Sequence, residues 1–192
     1  MKKLAYDPHS MTTLTSEPPK AQNASVEALN AEIQTLQSNA ILLCLVQHAP
    51  EHVLLLNAQR QIVYANDAYL AMANTLGLNG TYGQPLGGYL GCLHASDAEA
   101  SCGTRPACKD CGALNAIKKS LNGAVAMQRC TITLEGKRDP LHLVTLTIPI
   151  RIADSDYILT VFVDDNKIIE YPHTLAEHAF AVQKLAGRIQ TA

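Results

Sequence analysis

The chain has no surplus of positive charge. Fifteen Lys and Arg stand against 17 Asp and Glu in 192 residues, a formal net charge of -2 with a pI near 6.4. The basic residues are scattered rather than clustered, so no surface is prepared to neutralise phosphates, and nucleic acid is not expected as a partner. Also missing is any stretch approaching the roughly 20 uncharged apolar residues of a membrane helix. Met1 to Ser10 is a mixed polar segment without the apolar region of a signal peptide. The expectation is a cytoplasmic protein that does not enter a membrane. There is no P-loop, nucleophile elbow or dinucleotide fingerprint, and no catalytic triad can be nominated, so an enzyme is not expected.

What is present is enough apolar material, 47% of all residues, for one well-buried domain with some length left over for helices or linkers. Residues 1–24 carry Pro8, Pro18 and Pro19 among several Ser and Thr, with no apolar period that would offset the cost of ordering them, and are expected to be a flexible tail. From Ser25, an N-cap residue type, apolar or small residues recur at Val26, Leu29, Ile33, Leu36, Ala40 and Leu43 in steps of three and four. This heptad-like seam predicts an amphipathic, coiled-coil-like helix over 25–47, either pairing with a second subunit or folding back on its own domain. Beyond Ala40 the segment is apolar nearly all round, as for a helix running into a core.

A domain over 48–166 follows. Val53 to Leu56 and Ile62 to Tyr64, separated by the polar turn Asn57 to Arg60, predict a strand hairpin. Asp67 is placed to cap a helix over Ala68 to Leu76 that Gly77 ends. Residues 77–91 hold six of the 11 glycines, which predicts a loop with short helical turns at most. A second helix is predicted from about Cys111 to Leu121, with Leu114, Ile117 and Leu121 on one face, Lys118 and Lys119 near its end, and Asn122 and Gly123 terminating it. Val125 to Leu134, Leu141 to Arg151 and Tyr157 to Val163 read as strands. After Asp164 and Asp165, residues 167–192 read as a final amphipathic helix with Leu175, Val182, Leu185 and Ile189 on one stripe.

Six cysteines in a reducing compartment point to free thiols or metal ligands rather than structural disulfides. Cys92, Cys102, Cys108 and Cys111 fall within one short segment, whereas Cys44 and Cys130 stand alone in apolar surroundings. The CxxC pair Cys108 and Cys111 can chelate one metal with little strain, and Cys92 and Cys102 complete a four-thiolate tetrahedron. At a helix start, the Cys111 thiolate would also be favoured by the helix dipole. Thiolate-only sites suit zinc and iron-sulfur clusters alike, with zinc the slightly preferred reading for a closed site. His94 could replace one cysteine or hydrogen-bond to a sulfur. A thiol redox protein using Cys108 and Cys111 is the competing reading, although no βαβ unit precedes the pair. A lone strand histidine such as His142 is more often structural than functional.

Two strands, helices, then three strands, with a helix entering and another leaving, resemble the PAS domain: an α+β fold with a five-stranded antiparallel sheet around a helical middle. The segment HVLLLNAQRQIVYANDAYLAMANTLGL is similar to the PAS opening, with Tyr64, Ala65 and Asn66 as its aromatic-x-Asn ending. The segment YILTVFVDDN is similar to the last PAS strand, with Asp164, Asp165 and Asn166 in place of the usual Asp-Ile-Thr. GCLHASDAEASCGTRPACKDCGALNAI resembles a cysteine-rich insertion of PAS domains in bacterial sensor kinases.

The resemblance implies a sensory module that binds a metal through the loop 92–111 and relays its state through flanking helices. It further implies a homodimer, a downstream signalling partner such as a kinase or response component, and an internal pocket that could hold an unidentified small molecule. A structural dimerisation module with a zinc clamp is the blander alternative. Residues 111–121 contain no histidine for a haem, and the flavin-linked Asn-Cys-Arg-Phe type of sequence is absent. Autophosphorylation is not expected either: His178 is followed by Ala179 where an acidic neighbour belongs, and His173 by Thr174. As the chain ends before any ATP-binding domain, a stand-alone sensor or a fragment is expected.

Overall fold

The structure is a computed structural model that describes residues 23–78, 80, 82–95 and 102–166. Its centre is a five-stranded antiparallel sheet. The strands are β1 (His52–Asn57), β2 (Ile62–Ala65), β3 (Ala126–Ile132), β4 (Leu141–Ile152) and β5 (Ser155–Asp164), arranged in the order β2-β1-β5-β4-β3. The first hairpin and the last three strands thus meet along β1 and β5, with His52 opposite Phe162 and Asn57 opposite Tyr157. This is the PAS-like α+β arrangement expected from the element order.

Side-chain alternation assigns the two faces of the sheet. Leu54, Leu56, Ile132, Ile158 and Phe162 form one buried cluster, into which Tyr69, Leu86, Tyr89 and Ile117 pack. Val53, Leu55, Val63, Leu146, Ile148 and Leu159 form the other, together with Leu36, Leu42 and Val46. Because β1 is covered on both sides, it reads as an unbroken apolar run rather than as an alternation.

The second face is covered by the N-terminal segment, which departs from the single helix expected over 25–47. It forms α1 (Val26–Ser38) and α2 (Ala40–Gln47), broken at Asn39, whose side chain accepts from the Leu42 N–H at 3.0 Å and caps the second helix. The break lets the seam serve its own sheet. Leu36 is 1% exposed, and Leu29, Ile33 and Leu43 pack against the same cluster. Glu32 accepts from Asn57 Nδ2 at 2.7 Å and the Ala24 N–H donates to Gln61 Oε1 at 2.9 Å, so α1 is tied back to the first hairpin.

Helix α3 (Asp67–Leu76) ends at Gly77 with φ 68, a left-handed value that glycine tolerates without strain. Its cap is Asn66 rather than the expected Asp67. The Asn66 Oδ1 accepts from the N–H groups of Tyr69 and Val53, both at 3.0 Å, while its Nδ2 faces the carbonyls of Val46, Ala49 and Glu51. One fully buried side chain therefore joins the end of α2, the start of β1 and the start of α3. Within the glycine-rich stretch lies a single helical turn, α4 (Leu86–Tyr89), and α5 (Gly112–Leu121) packs across β3 and β4.

The β4 to β5 turn is tighter than the sequence implies, because Ile152 already pairs with Ser155 and only Ala153 and Asp154 lie between, Ala153 with φ 51. The expected tail over 1–24 lies almost wholly outside the described residues, as does the helix expected over 167–192 with His173 and His178.

Candidate functional site

The start of the cysteine segment is held against the chain that follows β3. An isolated antiparallel bridge joins Cys92 to Leu134, with the Leu93 N–H donating to Thr133 O at 2.8 Å and the Glu135 N–H to Gly91 O at 3.1 Å. The segment's other end is the N-cap of α5, Cys111, whose carbonyl accepts from the Asn115 N–H at 3.0 Å. A short 3-10 turn, Pro106–Cys108, precedes it, and the Cys111 N–H donates to Cys108 O at 3.2 Å.

Two glycines make the close approaches possible. A Cβ on Gly112 would stand 1.8 Å from the Arg129 carbonyl oxygen, so only glycine lets the start of α5 lie on β3. A Cβ on Gly87 would stand 2.9 Å from Cys102 Sγ, so its absence leaves room for that thiol against α4.

This framework brings all four predicted cysteines to one cavity of about 370 Å³, lined also by His94, Arg129, His142 and Asp165. Cys108 is buried; Cys92, Cys102 and Cys111 are half-buried, and none is in a disulfide. Burial raises the Cys92 thiol, opposed by the His94 backbone N–H and reinforced by the nearby Cys111 and Cys108. The Cys102 thiol is raised to about 11, chiefly by burial; the Gly87 N–H and Arg60 lower it, whereas Cys108 and Cys111 raise it.

Cys92 and Cys102 thus each stand close to both Cys108 and Cys111. They do not converge on a point: among the described residues, no three His, Cys, Asp or Glu side chains are gathered tightly enough to enclose an ion. The donor set, all soft sulfur around one space, fits a thiophilic metal group, and binding would draw the sulfurs inward.

His94 lies in a 3-10 turn, Leu93–Ala95, and it is the backbone N–H that serves the Cys92 sulfur. His142 is exposed and pairs across the hairpin with Thr131, Nδ1 to Oγ1 at 3.3 Å. Cys44 is exposed on α2, away from the cavity lining.

Cys130 is the correction. Far from standing alone, it is buried on β3 and lines the same cavity. Burial raises its thiol most, Thr145 and the Ala113 N–H lower it, and Cys111 and Cys92 raise it further. No spacing signal marks it, because it reaches the site from a strand beyond the intervening helix. The only clue is the strand's alternation, which turns Cys130 inward with Ala126 and Ile132.

No protein-family model matches the chain, and no curated protein matches it. Solved structures do match. The PAS domain of an HTR-like protein from Haloarcula marismortui aligns over 67% of this chain and 97% of its own, at 13% identity and a TM-score of 0.42. The PAS domain of BvgS from Bordetella pertussis aligns over 74% and 98%, at 15% identity and a TM-score of 0.42. A PAS domain from a two-component sensor histidine kinase aligns over 72% and 99%, at 11% identity and a TM-score of 0.38.

Proposed function

We propose that the chain is a PAS-type sensory module whose cysteine centre binds a metal group and relays that group's state to a signalling partner such as a kinase or response component. The observation that carries this reading is the meeting of Cys92, Cys102, Cys108 and Cys111 around one cavity, from four points along the segment. The donors suit zinc and iron-sulfur clusters alike, and either would require the loop to close on it, because no three of the thiols are yet gathered around one point among the described residues.

The relay has a physical route. Arg129 and Asp165 both line the cavity and are ion-paired at 2.9 Å, and Asp165 directly follows β5. A displacement of Cys111 bears on Arg129 through Gly112, and Arg129 bears on the chain that leaves the sheet. Pairing of two copies is the other half of the proposal: α2 presents Ile41, 72% exposed, and Leu45, 52% exposed, on its outward face. A dithiol enzyme fits less well, because Cys108 is buried and a 3-10 turn rather than a strand leads into the pair.

Anaerobic purification with an absorption spectrum and metal analysis tests the centre. Brown protein with iron and sulfide, or colourless protein with one zinc, is expected, and Cys108→Ser and Cys111→Ser should abolish binding; full metal stoichiometry in those variants would sink the assignment. A metal-free, colourless protein would instead direct the search to a small-molecule ligand, for which the cavity volume is also adequate. Helix pairing and partner binding that are indifferent to metal removal would reduce the centre to a structural clamp.

A further inference from the structure

A single residue, Asn39, separates α1 from α2. Its φ of -86 is near helical, but its ψ is 82, where a helix has about -42. The backbone bonds around it are almost those of a continuous helix: the Asn39 N–H donates to Leu36 O at 3.0 Å, and the Leu43 N–H to Asn39 O at 3.1 Å, the second a helical step of four. Turning that one dihedral joins α1 and α2 into one helix, through which the seam of Leu29, Ile33, Leu36, Ala40 and Leu43 runs unbroken.

The surface under α1 is a fitted socket. Gly83, with φ 86, leaves room for Leu29, whose Cδ2 would stand 2.6 Å from a Cβ there. Glu32 is held by Asn57 Nδ2, the Ala24 N–H by Gln61 Oε1, and Leu36 is buried in the second core cluster. A straightened helix carries all of these groups away from their own sheet and leaves the socket open. The surface that satisfies them identically is the socket of a second copy, whose own α1 returns the exchange.

Resting on the pairing of two copies proposed above, we infer that the chain dimerises by exchanging α1 about Asn39, each copy's α1 filling the other's socket. The partner is a second copy of this chain, because the fit to Leu29, Glu32 and Leu36 is carried by the same sequence that builds the socket. The Asn39 side chain opposes the exchange, since its cap on the Leu42 N–H belongs to the bent form.

Hinge and exchange are tested separately on the full chain. In sedimentation across a concentration series, Asn39→Ala, which removes the cap and favours a continuous helix, is expected to dimerise at least ~10-fold more tightly than Asn39→Gly, which keeps the bend and disfavours the helix. Equal dimerisation of the two would overturn the hinge. For the exchange, light and heavy nitrogen-labelled chains carrying Glu32→Cys with Asn57→Cys are unfolded together, refolded and oxidised, and the disulfide between positions 32 and 57 is mapped by mass spectrometry. Disulfides joining a light peptide to a heavy one are expected. Disulfides confined to one label, in a chain that dimerises, would overturn the exchange while leaving the pairing standing. The Asn39 comparison does not depend on how the cysteine variant folds. Unaltered and Asn39→Ala chains that both stay monomeric well above micromolar concentration would overturn the pairing and this inference together.

Discussion

At the residue scale the fold leans on Asn66. Its amide satisfies groups on three elements, and it is fully buried, so its loss leaves donors and acceptors without water to replace it. Asn66→Ala is expected to cost about 3 kcal/mol or more of unfolding free energy, combining a lost cap with stranded polar groups. Urea denaturation measures it. Asn66→Asp should also destabilise, because it keeps the acceptor for Tyr69 and Val53 but turns a charged oxygen toward the carbonyls of Val46, Ala49 and Glu51.

The tyrosines set the alkaline limit. Burial, with Tyr82 and Asp67 nearby, raises the Tyr64 phenol to about 12, and burial with Tyr82 nearby raises Tyr89 to about 12. In the folded state both hold their protons longer than in the unfolded chain, where the phenol titrates near 10. The stability they contribute is complete below pH ~10 and is lost as pH rises toward 12. Unfolding midpoints measured on either side of this window should fall with rising pH, in step with tyrosinate absorbance.

Elements were legible in the sequence to different degrees. The strands follow β-branched and apolar runs closely, and Gly77 ends α3 as its position implies. The break at Asn39 was not legible, because the heptad seam runs through it, although Asn39 caps the second helix through the Leu42 N–H. The role of Gly112 was equally hidden: at the start of α5 it looks like a poor helix former, whereas its purpose lies across the gap in Arg129. Gly112→Ala places a methyl on a backbone oxygen, outweighing the ~1 kcal/mol gain in helix propensity. It should destabilise by about 1–3 kcal/mol, seen in thermal melts, and, if the cysteine centre holds a metal as proposed, weaken that binding by shifting Cys111.

For the whole molecule, the cysteine cluster shows what sequence spacing can and cannot reveal. Cys92 to Cys111 announce themselves because one loop can bring them together. Cys130 does not, because its membership depends on β3 lying beside α5, a fact of sheet order rather than of local pattern. The seam on α1 was open to a second subunit or to its own domain, and Leu36 is spent on the molecule's own sheet. Among the described residues, the outward face of α2 is one apolar surface still open to a partner copy. If two copies meet there, Ile41→Glu with Leu45→Glu should weaken dimerisation at least ~10-fold, from the lost burial of two side chains. Sedimentation across a concentration series measures it, and an unaltered chain that stays monomeric well above micromolar concentration would remove the dimer.

The bridge between Cys92 and Leu134 bears on solubility. In the sheet order β3 is terminal, and an open terminal strand is a template for another chain. The loop from Gly91 to Leu93 occupies the extension of that edge beside Thr133 to Glu135, while Gly112 presses on Arg129. The same segment that offers thiols thus acts as a guard rail. If the sulfurs hold a metal as proposed, its removal should loosen this segment beside the end of β3, and self-association is the expected sign.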